Sequence, residues 1–203
     1  MSIRTVDASM PLVVALLAAI PGVAMAHAGA GLTGGFASGF THPIFGLDHL
    51  VVMVAVGLWG AQLGRPAIWL LPITFPVVMA LGAVLGIAGM PMPFVEFGIA
   101  LSALVLGIMV ATGTRPPMGV AAILVGCFAL LHGYAHGAEL PQAVNALAYA
   151  VGFVIATSLL HVAGILIGIM LYRPVGARLV RVGGAAIAAI GGWFVLVHAG
   201  MMA

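Results

Sequence analysis

Three side chains in the segment LLHGYAHGAEL, residues 130–140, have types and spacing suited to metal chemistry. His132, His136 and Glu139 follow one another at positions i, i+4 and i+7, so in a helix they share one face. Imidazole and carboxylate groups that converge from different helices suit a borderline divalent metal, namely Ni²⁺, Co²⁺, Zn²⁺ or Cu²⁺. The alternative for each histidine alone is an ordinary hydrogen bond to a neighbouring helix.

A second group of the same chemical character lies in THPIFGLDH, residues 41–49. His42 and His49 are seven positions apart, which is nearly the same face if one helix runs through both. Pro43 instead predicts that the helix starts there, with His42 in the preceding turn. Asp48 either binds the metal directly or orients His49 through the second ring nitrogen.

Three further residues elsewhere in the chain are candidate metal ligands. Glu96 begins another apolar run, where it is either a ligand or an ordinary interfacial acid. His161 lies well inside a run, and ionisable groups within membrane spans are costly and usually functional. His27 would carry both an α-amine and an imidazole if the chain were cleaved before it, and could then chelate a metal. None of these sites contains cysteine, which argues against Cu⁺ and iron–sulfur chemistry.

The composition places all of these residues in a membrane protein. Of the 203 residues, 64% are hydrophobic and 5% are charged, whereas a soluble domain has about 25% charged residues. A bilayer core needs roughly 20 apolar residues per helix, and backbone groups in lipid must be hydrogen-bonded within the helix. Six apolar runs, bounded by Gly or Pro, lie at about 44–63, 67–89, 94–113, 117–138, 143–172 and 179–201. We therefore predict an all-α, polytopic membrane helix bundle with six transmembrane helices.

The N-terminal segment has the pattern of a secretory signal. Residues 1–26 contain Arg4, an apolar stretch and an Ala-x-Ala site ending at Ala26. We predict a cleaved signal peptide over 1–26 and a single integral membrane transport domain over 27–203; the alternative is an uncleaved first membrane helix. The Gly-rich residues 28–41 predict little helical structure. Gly133 and Gly137, in the fourth run, are expected to let another backbone come close.

The distribution of arginine predicts the orientation. The chain has no lysine, and five of its six arginines lie in or near the first, third and fifth connections between runs. The positive-inside rule makes those connections cytoplasmic, so the mature N- and C-termini face the outside of the cell. The metal-binding groups near residues 42–49, 96 and 132–139 then lie at the outer ends of their helices. The dispersed arginines do not form a nucleic-acid-binding patch.

HPIFGLDH and HGYAHGAE, together with ATSLLH in the fifth run, resemble the HupE/UreJ family of membrane proteins associated with hydrogenase and urease genes. The resemblance extends over nearly the whole chain after the signal. It implies a nickel permease of the bacterial inner membrane, with cobalt as the alternative metal, that supplies hydrogenase or urease maturation. The ligand set that it implies is His42, Asp48, His49, Glu96, His136 and Glu139, with His132 and His161 as helpers.

The residues leave other functions open. An intramembrane zinc-dependent hydrolase could use the same side chains, although no H-E-x-x-H motif is present. A non-transporting metal receptor would bind metal without uptake, and a bis-histidine haem protein would be coloured. The chain has no phosphate-binding G-x-x-x-x-G-K-[ST] loop, so we expect no ATP site. The expected partners are a divalent metal ion and the lipid bilayer, and a homo-oligomer is compatible with the sequence.

Overall fold

The computed structural model describes residues 32–140, 145–170 and 174–201, and regular structure within this part of the chain is entirely helical. The predicted signal peptide, its cleavage site and His27 lie outside the described residues. Seven helices follow one another within the described ranges: α1 (Leu32–Phe45), α2 (Leu47–Leu63), α3 (Ala67–Ile87), α4 (Val95–Thr112), α5 (Met118–Ala138), α6 (Ala146–Met170) and α7 (Pro174–His198).

The six predicted runs correspond to α2–α7, and the all-helical membrane bundle is confirmed. Five helices, α3 to α7, are long and apolar enough to cross a membrane, and the bent pair α1–α2 makes a sixth candidate span. Their outward faces are apolar. On α3, for example, Ile73, Val77 and Leu81 recur every four residues with 58 to 60% of their surface exposed. Such a surface needs lipid as its solvent.

The prediction of little helical structure over residues 28–41 was wrong for the described residues, since α1 begins at Leu32. The reason is tertiary packing, because α1 lies against α6 with glycine at both sides of the contact. A Cβ atom at Gly39 would collide with the carbonyl of Tyr149, and one at Gly152 would collide with the carbonyl of Phe36. Close backbone contact of this kind stabilises membrane helices that have low intrinsic propensity.

The expectation that a helix starts at Pro43 was also wrong. Pro43 lies inside α1, and the break comes at Gly46, where the axes of α1 and α2 differ in direction by 76°. Gly46 adopts an extended conformation, with φ −77° and ψ 107°. The hydrogen bonds nevertheless continue through the bend, because Gly46 donates to His42 and Leu50 donates to Gly46. His42 therefore lies in the last turn of α1, while His49 lies in the first turn of α2.

Close glycine contacts also join the other main helix pairs. On α5, a Cβ atom at Gly133 would collide with the Met79 carbonyl of α3, and one at Gly137 with the Ala83 carbonyl. The predicted role of these two glycines is confirmed. Gly107 of α4 and Gly184 of α7 likewise meet the backbone of the opposite helix.

Helix α2 is the centre of the bundle and contacts α1, α3, α4, α6 and α7. Its interior residues Val52, Met53, Val56 and Trp59 are fully buried. The Trp59 indole donates to the Thr114 carbonyl and so secures the connection between α4 and α5. A rigid central helix gives a fixed position to any side chain at its start, which includes Asp48 and His49.

Candidate metal site

Four imidazole rings meet at the end of the bundle where α2 begins and α5 ends. The ring of His49 lies 4.9 Å from that of His132 and 4.4 Å from that of His136, measured between centroids. The ring of His42 lies 4.7 Å from His136 and 5.9 Å from His49. We call these four residues the histidine cluster. It combines one residue from α1, one from α2 and two from α5.

The cluster has a buried side and an accessible side. His49, His132 and His136 are buried, with 6%, 0% and 6% of their surface exposed, whereas His42 is exposed. The bend at Gly46 creates this arrangement. Seven residues of a straight helix would separate His42 and His49 by about 10 Å along the axis. Because the chain turns at Gly46, the two rings instead lie 5.9 Å apart.

Hydrogen bonds set the tautomer of two cluster histidines. Nδ1 of His49 lies 2.9 Å from Oδ1 of Asp48, and Nδ1 of His132 lies 2.9 Å from the carbonyl of Phe128. Carboxylate and carbonyl oxygens only accept hydrogen bonds, so in both pairs Nδ1–H is the donor. Nε2 of each ring is therefore left with a free lone pair, which is the form that binds a metal.

Those lone pairs have no hydrogen-bond partner among the residues that the structure describes. Nε2 of His49, Nε2 of His132 and both ring nitrogens of His136 are buried without a hydrogen bond. An unsatisfied buried polar group costs about 1–3 kcal/mol, so several together are unusual in a structure selected for stability alone. A cation or ordered water held among the rings would satisfy them.

The four rings of the histidine cluster lie close together, but they are not arranged around one metal position. Among the residues that the structure describes, no three His, Cys, Asp or Glu side chains are placed so that they could hold a metal ion directly. Coordination by the cluster therefore requires rotation of its side chains. His42 is the residue with most freedom to rotate, because it is exposed and lies beside the helix break.

A fifth histidine, His161, is separated from the histidine cluster by one aromatic ring. Phe75 of α3 contacts His132 at 5.5 Å and His161 at 5.4 Å between centroids, edge to face in both pairs. His161 is 1% exposed, and its ring nitrogens make no well-formed hydrogen bond to the described residues, although the backbone of Pro72 is near enough for a weak one. Thr157, one turn earlier on α6, is also fully buried, and its hydroxyl has no partner in the same part of the chain. His161 is thus separated from the cluster by the single ring of Phe75.

Sequence reasoning missed the aromatic wall of the cluster. Phe153 packs against His136 at 4.3 Å and His42 at 6.1 Å, and Tyr149 lies 6.4 Å from His42. Tyr149 and Phe153 share one face of α6 with Thr157 and His161, because these positions follow the i, i+4 spacing of a helix. That spacing could have predicted from the sequence that the two aromatic residues lie on the same side of α6 as His161. A cavity of about 90 Å³ between α3, α5 and α6 reaches His136 along this wall.

The two glutamates of the predicted ligand set do not join the cluster. Glu139 follows the end of α5 and is exposed, and Glu96 is exposed in the first turn of α4. They are near enough to interact, because partial burial and the charge of Glu96 raise the pKa of Glu139 above its ordinary value. His198 is exposed and bonds to the Phe194 carbonyl of its own helix, as an ordinary hydrogen-bonded histidine does.

Comparison with known proteins identifies the family of this chain. The family model described as HupE / UreJ protein matches residues 14–194. The chain is also 47% identical over 173 residues to Protein HupE of Rhizobium leguminosarum bv. viciae, covering 85% of this chain and 90% of that protein. No solved structure matches.

The match includes both histidine motifs and all helices of the bundle except the end of α7. The resemblance to this family is therefore confirmed. The chain is a multi-pass membrane protein with a bacterial relative. The family is generally non-enzymatic. This chain belongs to the HupE/UreJ family of hydrogenase and urease accessory membrane proteins.

Proposed function

We propose that this protein is a permease for a divalent transition metal, that Ni²⁺ is its cargo, and that Co²⁺ is the alternative. Nickel transport is the role inferred for the family. The observation that supports the proposal most directly is the set of unpartnered, buried nitrogens of His49, His132 and His136. Neutral imidazole is a good ligand for nickel, and no thiolate that would select Cu⁺ is required. The metal would serve hydrogenase or urease maturation.

The proposed path has two successive metal-binding sites, which we call stations. Ni²⁺ first exchanges water for imidazole at the histidine cluster, with His42 as the accessible ligand and Asp48 orienting His49. Glu96 and Glu139, exposed near the same end, attract the cation electrostatically before it binds. The ion then passes Phe75 to His161, beside the hydroxyl of Thr157. Conduction requires sites that bind well enough to admit the ion and weakly enough to release it.

The membrane potential is a sufficient driving force. Moving two positive charges inward through 100 mV releases about 4.6 kcal/mol, at roughly 2.3 kcal/mol per charge. This proposal requires the histidine cluster to face the outside, as the arginine distribution predicts. Reporter fusions at residues 90 and 140 should then be active outside the cell, and a fusion at residue 115 should be active inside. The opposite pattern would contradict uptake through this route.

Processing of the N-terminus remains part of the proposal. Cleavage after Ala26 would expose His27 with a free α-amine, which would form an additional capture site ahead of the cluster. Mass spectrometry of the mature protein tests this directly, because an N-terminal residue other than His27 would exclude the chelate. Uptake at limiting nickel in His27→Ala, compared with wild type, tests its contribution.

The decisive experiment measures uptake of radioactive nickel into proteoliposomes, with an imposed potential and with cobalt, zinc and copper as competitors. We expect saturable uptake that increases with an inside-negative potential and is inhibited best by cobalt. Equilibrium binding in detergent is measured in parallel. Binding without uptake would indicate a receptor, and lipid or peptide hydrolysis in the presence of zinc would indicate a hydrolase.

A further inference from the structure

A second cavity lies at the end of the bundle opposite the histidine cluster. It has a volume of about 400 Å³, and the groups that line it include Gln62 near the end of α2, Gly168 near the end of α6, Arg181 of α7, and Gly113 and Arg115 of the α4–α5 connection. Four parts of the chain that are distant in sequence therefore meet around one opening, at the ends of the membrane-crossing helices.

The two guanidinium groups at this cavity have no acidic partner among the described residues, where the one ion pair joins His49 to Asp48. The whole chain has four acidic residues. Three of them, Asp48, Glu96 and Glu139, lie at the other end of the bundle, and the fourth, Asp7, lies in the predicted signal peptide. An anion that pairs with Arg115 and Arg181 must therefore come from outside the described chain.

Gln62 forms part of the cavity wall. Its side-chain amide donates from Nε2 to the Val110 carbonyl at 3.0 Å, which joins the end of α2 to α4 at this wall. The Arg181 guanidinium lies over Gly113, which has no side chain to displace it, and Gly168 packs against Ala61 of α2.

We propose that this cavity binds the phosphate group of an anionic glycerophospholipid of the phosphatidylglycerol type. Arginine suits the phosphate because its planar guanidinium donates two parallel hydrogen bonds. Basic pockets between membrane helices bind lipid headgroups in this way. The site contains no residue of the histidine cluster and does not include His161, since its residues lie at the opposite end of α2.

Native mass spectrometry of the full-length protein in neutral detergent tests the proposal. Phosphatidylglycerol and phosphatidylcholine are added in equal amounts, and inorganic phosphate is tested in a separate arm. Wild type should retain phosphatidylglycerol at least tenfold more than phosphatidylcholine. Arg115→Gln combined with Arg181→Gln should abolish the preference. The matched control, Arg65→Gln combined with Arg178→Gln, removes the same charge from exposed positions outside the cavity and should keep it.

The remaining outcomes of this experiment either show that free phosphate also binds or contradict the proposal. Displacement of the lipid by millimolar inorganic phosphate, or stabilisation by phosphate alone, would show that the site takes a free phosphate as well. Equal loss in both double variants, or no preference in wild type, would overturn the proposal. If the double variant does not fold, Arg181→Lys keeps the charge and removes the planar donor pair, and unchanged lipid retention there would also count against it.

Discussion

Nδ1 of His49 donates a hydrogen bond to Oδ1 of Asp48 across 2.9 Å, although the two residues are neighbours in sequence and open the central helix. The same carboxylate oxygen also accepts the backbone N–H of His49. Asp48 therefore fixes both the ring and the backbone of one residue. The Nε2 atom of His49 is directed into the histidine cluster, where its ring is 4.4 Å from that of His136.

The first prediction concerns this pair. Asp48→Ala should weaken nickel binding by about 10- to 100-fold, the usual effect of removing a partner that orients a metal-binding histidine. Asp48→Asn should have a smaller effect, because its amide oxygen can still accept from Nδ1. Equilibrium binding in detergent measures both. Ser102→Ala is the control, since it also removes a buried side-chain hydrogen bond but one made to its own helix. Equal affinity in Asp48→Ala and wild type would exclude the orienting role.

The second prediction identifies the capture site. His136→Ala should lose nickel binding and nickel uptake together, because His136 contacts both His42 and His49 and has two unpartnered nitrogens. His198→Ala is the matched control, because His198 is exposed and bonded within its own helix. Binding in detergent and uptake in vesicles are compared for the same preparations. Normal uptake by His136→Ala would show that nickel does not pass through the cluster.

The third prediction separates capture from passage. His161→Ala should retain most of the nickel binding and lose most of the transport rate, because Phe75 separates its ring from the cluster. A deep ligand lowers the barrier for a partly dehydrated dication without setting the affinity of the first site. Initial uptake rates at saturating nickel provide the measurement. If His161→Ala abolished binding as completely as His136→Ala, the two stations would be one coupled site.

The fourth prediction concerns pH. Imidazolium has no lone pair, so protons compete with nickel for the cluster, and binding should weaken as pH falls through the range where the imidazoles become protonated. His136→Ala should bind less tightly with a shallower pH dependence. The pKa of Glu139 is raised, so it gains a proton at a higher pH than an ordinary glutamate. Glu139→Gln should change the pH dependence less than His136→Ala does, since Glu139 acts on the cluster through its charge and supplies no imidazole. Equilibrium dialysis across pH measures all three proteins.

The fifth prediction tests the close packing of α3 and α5. Gly133→Ala should lower the melting temperature in detergent, because its Cβ would collide with the carbonyl of Met79. Forcing extra atoms into a packed interface costs typically about 1–3 kcal/mol. Gly126→Ala, on the same helix, is the control, since the nearest atoms to its Cβ would be 3.9 Å away. That variant should be as stable as wild type or slightly more so, and equal destabilisation of both would refute the packing argument.

The helical membrane bundle could be predicted because both of its causes are local. Apolar length and internally satisfied backbone groups determine where a span forms, so the predicted runs 67–89 and 117–138 differ from α3 and α5 by at most two residues at each end. The relation of His132 to His136 is local for the same reason, because the i, i+4 spacing of one helix places both on one face. Their joint burial agrees with that reasoning.

Tertiary contacts decided the rest of the site. Residues 28–41 contain glycines that disfavour an isolated helix, and α1 forms where Gly39 meets α6. No sequence spacing specifies the 76° bend at Gly46 that places His42 beside His136. Phe75, Phe153 and His161 belong to helices α3 and α6, whose positions around the cluster depend on which helices pack together. Periodicity describes one helix at a time, whereas a site between helices is determined by long-range packing, and that is visible only in the folded chain.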